Sequence, residues 1–137
     1  MAPTELYTDE FQIILWDESA RIIGIDWKEA TVRMTDDDMK HELELFAGLV
    51  ESKSAPRILI DVTNFGYRMN PAVQKWWSEN ILTRYNASGV QRFAFLFAPE
   101  TQITAAMNES APGAAFLTRS FTTRESAIDW LTGTSSD

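Results

Sequence analysis

The chain has 137 residues, a length that fits one domain, and at 45% hydrophobic and 23% charged residues it has the composition of a protein that buries a core. It contains no cysteine, which removes disulfides, thiolate nucleophiles and zinc–thiolate sites, and the lone histidine, His41, rules out a His-rich metal centre. A net charge of -8 argues against nucleic acid or an anionic membrane surface as partner, because both need a basic footprint.

No apolar run approaches the roughly 20 residues of a membrane helix. The start, "MAPTELYTDEF", is polar and acidic and lacks the basic and apolar regions of a signal peptide. These features lead us to expect a cytoplasmic protein without a membrane span. There is no internal repeat, low-complexity tract or linker, so residues 1–137 are expected to form one domain, with its core over about 11–131 and a frayed tail over 132–137.

The first predicted element is a hairpin. In "FQIILWDESARIIGIDW", Phe11, Ile13 and Leu15 alternate with Gln12, Ile14 and Trp16, which is strand period, and Ile23, Ile25 and Trp27 alternate again after a polar turn. A long helix follows. Thr35 is a suitable N-cap, Asp36, Asp37 and Asp38 occupy the first turn, and Met39, Leu43, Phe46 and Val50 fall on one face. "RILIDV" is a short apolar run that reads as a buried strand.

Asn70 and Pro71 have the character of an N-cap and first helical position, opening a helix that runs to about Tyr85. "RFAFLFA" is the most apolar run and reads as a central strand. A further helix is expected near Thr101, followed by the irregular "APGAAFLT" and a short strand at "RSF". The last helix, "TTRESAIDWL", is expected to start with a capping box of Thr122 and Glu125. Strands alternating with helices imply an α/β fold: a mixed, mainly parallel sheet with an antiparallel N-terminal hairpin, covered by about four helices.

The stretch "DVTNFGYRMNPAVQKWW" concentrates the candidate site residues. Asp61 lies near the carboxyl end of its strand, the edge where open α/β sheets bind ligands. Thr63, Asn64, Arg68 and Asn70 follow, next to a helix N-terminus whose free N–H groups suit an anion. The plainer reading is that Asp61 and Thr63 satisfy local backbone donors and Asn70 is only a cap. Trp76 and Trp77 are about 100° apart on a helix, so both cannot face the core. Val73, Trp77 and Ile81 form one line, which puts Trp77 on the sheet and Trp76 on the flank, where it packs, closes a pocket or joins an interface.

Other chemistry is thin. Asp37, His41 and Glu44 share a helical face at metal-ligand spacing, but that face is opposite the apolar stripe and reads as solvated. There is no G-x-S-x-G elbow, no glycine-rich phosphate loop and no pair of carboxylates singled out by spacing. No metal or other cofactor is expected, and an enzyme, with Asp61 and Arg68 as its residues, is the weakest of the function classes.

"RILIDVTNF", "NPAVQKWW", "GVQRFAFLFAP" and "RSFTTRESAIDWL" together resemble the SpoIIAA-like branch of the STAS superfamily, a group also related to CRAL-TRIO lipid-binding domains. The resemblance spans roughly Phe11 to Leu131 and rests on structural motifs. It implies a mixed sheet of four or five strands and action by binding partner proteins. Anti-sigma-factor antagonists of this superfamily carry a phosphorylatable serine at the start of the helix after the third strand. The equivalent "YRMNPA" has neither serine nor threonine, so that regulation is not carried over.

The first functional expectation is therefore a non-enzymatic interaction or regulatory module that binds a protein partner and forms a homodimer, with Trp16, Leu45 and Trp76 as interface residues and Ile14 beside them. The CRAL-TRIO relation implies the alternative, a carrier of a lipid-like or other apolar small molecule. Phe65, Trp76, Met107 and Phe116 would line that site, with Arg68 or Asn70 near a polar head and Asp61 and Asn64 beside it.

Overall fold

The computed structural model describes residues 3–133. β1 (Thr4–Thr8), β2 (Gln12–Asp17), β3 (Ile22–Trp27), β4 (Arg57–Asp61), β5 (Arg92–Leu96) and β6 (Leu117–Phe121) form one sheet in chain order. β1, β2 and β3 pair antiparallel, while β3 to β6 pair parallel. The expected hairpin is β2–β3. β1 was not expected, because its five residues, TELYT, show no apolar alternation. An edge strand packs on only one neighbour and needs no such pattern.

α1 (Asp36–Lys53) crosses from β3 to β4. α2 (Pro71–Trp77), a π-helical turn (Ser78–Leu82) and α3 (Thr83–Ser88) run on as one rod from β4 to β5. α4 (Arg124–Thr132) follows β6. Three helical rods therefore surround the sheet. The helix expected near Thr101 is replaced by a 3-10 turn at Ala105–Asn108. Its side chains have other partners: Asn108 Oδ1 accepts from Ser120 N at 2.8 Å, and Ser110 Oγ accepts from Thr118 N at 3.1 Å. Such local side-chain bonds compete with helix formation. Thr132 ends α4 and Gly133 caps it, so of the expected frayed tail only residues 134–137 lie outside the described chain.

Right-handed crossovers between parallel strands in chain order bring every connection to the same face. That face carries Ile58, Ile60 and Phe93 with Phe46, Ala47 and Val50 of α1. Alternate residues turn the other way: Leu59, Ala94 and Leu96 form a second cluster with Ala127, Trp130 and Leu131 of α4. Each fully buried large aliphatic side chain in these layers stabilises the fold by about 1.5–3 kcal/mol. Gly24 lets β3 and β4 approach, since a Cβ there would stand 2.6 Å from the carbonyl oxygen of Leu59.

Helix starts follow the expected chemistry with one slip. Thr35 Oγ1 accepts from Asp38 N at 3.1 Å, and Asp38 Oδ2 accepts from Thr35 N at 3.0 Å. Asn70 Oδ1 accepts from Val73 N at 3.0 Å, with Pro71 next. At α4 the cap is Thr123, bonded by Ser126 N, rather than Thr122 with Glu125. Pairing of β6 continues to Phe121, which leaves two residues for the turn.

The hairpin faces are the reverse of the expectation. Gln12, Ile14 and Trp16 point inward and are buried, whereas Ile13 and Leu15 are half-buried on the other side. Trp16 is 4% exposed, with Arg21 and Lys53 each 5.7 Å from its ring centre, so it does not offer the free surface assigned to it.

The inward face also buries a polar cluster. Gln12 Nε2 donates to the backbone oxygen of Glu42 at 3.1 Å, and the Glu42 side chain is 2% exposed. Asp9 accepts from Tyr7 Oη at 2.8 Å and from the amides of Phe11 and Gln12. Among the described residues, Glu42 Oε1 and Gln12 Oε1 have no donor. A proton on Glu42 lets its carboxyl donate to the Asp9 carboxylate. Burial, then the hydrogen bond and charge of Asp9, push the Glu42 carboxyl up to about 8.

The folded state thus holds a proton that the unfolded chain, with an ordinary value of 4.5, releases earlier. The stability supplied by neutral Glu42 is complete below that ordinary value and is lost as pH rises through about 8. Denaturant midpoints measured across this interval are expected to fall with pH in the wild type, and Glu42→Gln is expected to flatten the slope. An unchanged slope in Glu42→Gln would remove Glu42 as its source.

Candidate functional site

β3, β4 and β5 present Ile25, Ile60 and Phe95 in register on the crossover face. α1 and the α2–α3 rod cover the first part of that face. The third crossover, from β5 to β6, is a loop with one 3-10 turn, so it covers the last part more thinly. A cavity of about 340 Å³ lies there. This volume is at the small end of ligand pockets.

Its walls are mostly apolar and include seven aromatic side chains. Phe93 stacks on Phe116 at 5.7 Å and contacts Phe95 at 5.0 Å. Trp77 meets Tyr85 edge-on at 6.2 Å. Trp27 packs on Phe65 at 5.1 Å, closing the side nearest the β4–α2 loop. Met39, Leu43 and Met69 line the helix side. The polar lining residues are Tyr85, Glu109 and Thr118.

Local chemistry holds these walls. Gly66 N donates to the buried Thr31 Oγ1 at 2.8 Å, anchoring the loop beside Phe65. Tyr67 Oη and Asn70 Nδ2 donate to the two carboxylate oxygens of Asp36 at 2.7 and 2.8 Å, which ties this loop to the start of α1. Those two donors lower the Asp36 carboxyl below its ordinary value. On the opposite side, Asn86 Nδ2 donates to Gly113 O at 2.9 Å and Asn86 Oδ1 accepts from Ala115 N at 2.8 Å. Asn86 thus clamps the β5–β6 loop to α3. Ser120 Oγ donates to Met107 O at 2.6 Å, holding the same loop to β6.

The structure separates the residues singled out in the sequence. Phe65 and Phe116 line the cavity. Trp77 lines it too, whereas Trp76 stands half-buried on the flank with Lys40 Nζ 5.7 Å from its ring centre. Met107 lies in the 3-10 turn, where its Sδ accepts from Thr104 N, and is not a lining residue. Arg68 is exposed and Asn70 is engaged as cap and donor, so neither stands at the cavity. Asp61 and Asn64 line a separate polar cleft with Glu10, Asp26 and Lys28. Asp61 accepts from Thr63 N at 2.9 Å, and its ionic partner is Arg124 at 3.0 Å, not Arg68. Arg124 also reaches Asp26 at 3.3 Å.

Leu45 is half-buried and shares a shallow depression with Asp37, Lys40, His41 and Glu44. Among the described residues no group of three or more His, Asp or Glu is placed to hold a metal ion, and no helix is long and apolar enough to cross a membrane.

Sequence reading missed Tyr85, Glu109 and Asn86. The π turn explains Tyr85. One extra residue in the rod after Trp77 shifts the buried face, which then takes Ile81, Leu82 and Tyr85. Asn86 and Glu109 carry no spacing signal, because their roles depend on where a loop returns.

A family model described as SpoIIAA-like matches residues 22–132, from the first residue of β3 to the last of α4. No curated protein and no solved structure matches the chain.

The Asn86 clamp generates a prediction. Asn86→Ala removes two hydrogen bonds to the loop, which together contribute about 1–3 kcal/mol locally. Amide exchange over residues 109–116 should accelerate about fivefold or more, the scale of that loss, with exchange in β3 and β4 unchanged. Equal exchange in both proteins would show that the loop is held by other contacts.

Proposed function

Because this chain belongs to the SpoIIAA-like family, we propose that it is a non-enzymatic regulatory module of STAS type whose apolar cavity carries a small apolar ligand. The cavity itself carries the reading: about 340 Å³ walled by Phe93, Phe95, Phe116 and Trp77. It is a half-open concave space with an almost wholly apolar lining, the character of a small-molecule site. Placing an apolar guest there removes apolar surface from water on both sides. The polar cleft offers less. Two of its carboxylates, Asp26 and Asp61, already share Arg124, and a third, Glu10, pairs with Arg33.

A second reading is a homodimer through the exposed side of α1. Leu45 and Trp76 favour it, since both are half-buried and Lys40 lies beside each. The free edge of β6 is a poorer interface. Its amides at Thr118 and Ser120 are already bonded by Ser110 and Asn108, which blunts strand addition.

Native mass spectrometry of gently purified protein reads both at once. A reproducible small-molecule adduct is expected, and it should disappear in Ala111→Trp, which fills the cavity from the loop side. A bare mass in every preparation, with no apolar additive raising Tm, would contradict the carrier reading. A dimer mass that Trp76→Ala reduces to monomer would support the second.

A further inference from the structure

The lining of the cavity restricts the ligand further, if it is a carrier site as proposed above. Among the described residues, none of the lining side chains is Lys, Arg or His. Glu109 is the acidic one, on the exposed loop that closes the cavity. Tyr85 is the most buried of the polar lining residues, at 2% exposed, and no hydrogen bond acts on its hydroxyl among the described residues. A phenol without a protein partner is free to donate to a guest that reaches it. Burial raises the Tyr85 hydroxyl well above its ordinary value, so it keeps its proton and serves as donor.

We propose that the cavity selects a neutral amphiphile, an apolar body with one uncharged oxygen-bearing group bonded to Tyr85, and rejects anionic amphiphiles such as fatty carboxylates. A carboxylate entering this space would lose its hydration, find no cation and face Glu109. The first two are strongly unfavourable where the surroundings are apolar, and Glu109, being exposed, adds a smaller, screened repulsion. An alcohol or ketone oxygen meets neither obstacle and accepts from Tyr85. The two observations are independent: the free hydroxyl calls for an oxygen acceptor, and the missing cation calls for one without charge.

The test pairs two probes of equal chain length, 1-octanol and octanoate, at neutral pH. Trp27 and Trp77 line the cavity and report occupancy through their fluorescence. Octanol is expected to bind well over tenfold more tightly than octanoate, because burying an unpaired carboxylate costs far more than burying a neutral hydroxyl. Glu109→Gln, on an exposed loop, should narrow that gap by improving octanoate. Tyr85→Phe should weaken octanol about fivefold, the scale of one neutral hydrogen bond. Octanoate binding as tightly as octanol would overturn the selection while leaving the carrier reading intact. Binding of neither probe would overturn both.

Discussion

The order of the parallel strands constrains everything else. β3, β4, β5 and β6 follow one another without a reversal, so right-handed crossovers place all three connections on one face. Two of these are helical rods that bury Ile25, Ile60 and Phe93 beneath them. The third is a loop, and a loop contributes fewer side chains per unit of sheet than a helix does. The other face needs only α4, whose Ala127, Trp130 and Leu131 close it. A dense layer and a thin layer therefore meet above β5, and the apolar cavity lies where they meet.

The aromatic residues around it serve stability and shape together. Phe93 contacts Phe95, Phe116 and Tyr85, so each ring fixes the next. Edge and stacked arrangements of this kind add about 0.5–1.5 kcal/mol per pair beyond area burial. Rings locked by other rings cannot collapse into the space between them, and the space persists. The loop above is fixed instead by polar contacts at its ends, through Asn86 and Ser120. Rigid walls and a cover held by a few hydrogen bonds suit a site that loads and unloads.

Much of this was legible in the sequence where one physical rule acts alone. Thr35 and Asn70 are caps because their side chains satisfy helix amides, and Met39, Leu43, Phe46 and Val50 are core because one helical face is apolar. "RILID" and "RFAFL" are buried strands because they are short and apolar throughout. Reading failed where rules competed. "QIILW" is apolar on both faces from Ile13 onward, so period alone could not show that Ile14 and Trp16 face α1. Buried Gln12 begins the inward face and argues against it by polarity, because its partner Glu42 is 30 residues away. The helix expected near Thr101 gives way to bonds with β6 that no local pattern reveals. Of the ligand candidates, Phe65 and Phe116 reach the cavity, while Trp77 takes the place assigned to Trp76. The most buried polar lining residue, Tyr85, is brought there by a π turn that leaves no trace in composition.

The most direct test is whether the space above β5 is open to an apolar guest. Xenon enters dry apolar cavities and is seen readily by diffraction. Crystals pressurised with xenon should show a bound atom among Phe93, Phe95 and Phe116, with the surrounding side chains unmoved. A structure in which those rings fill the space, and no xenon binds at any pressure, would contradict the cavity and the function drawn from it.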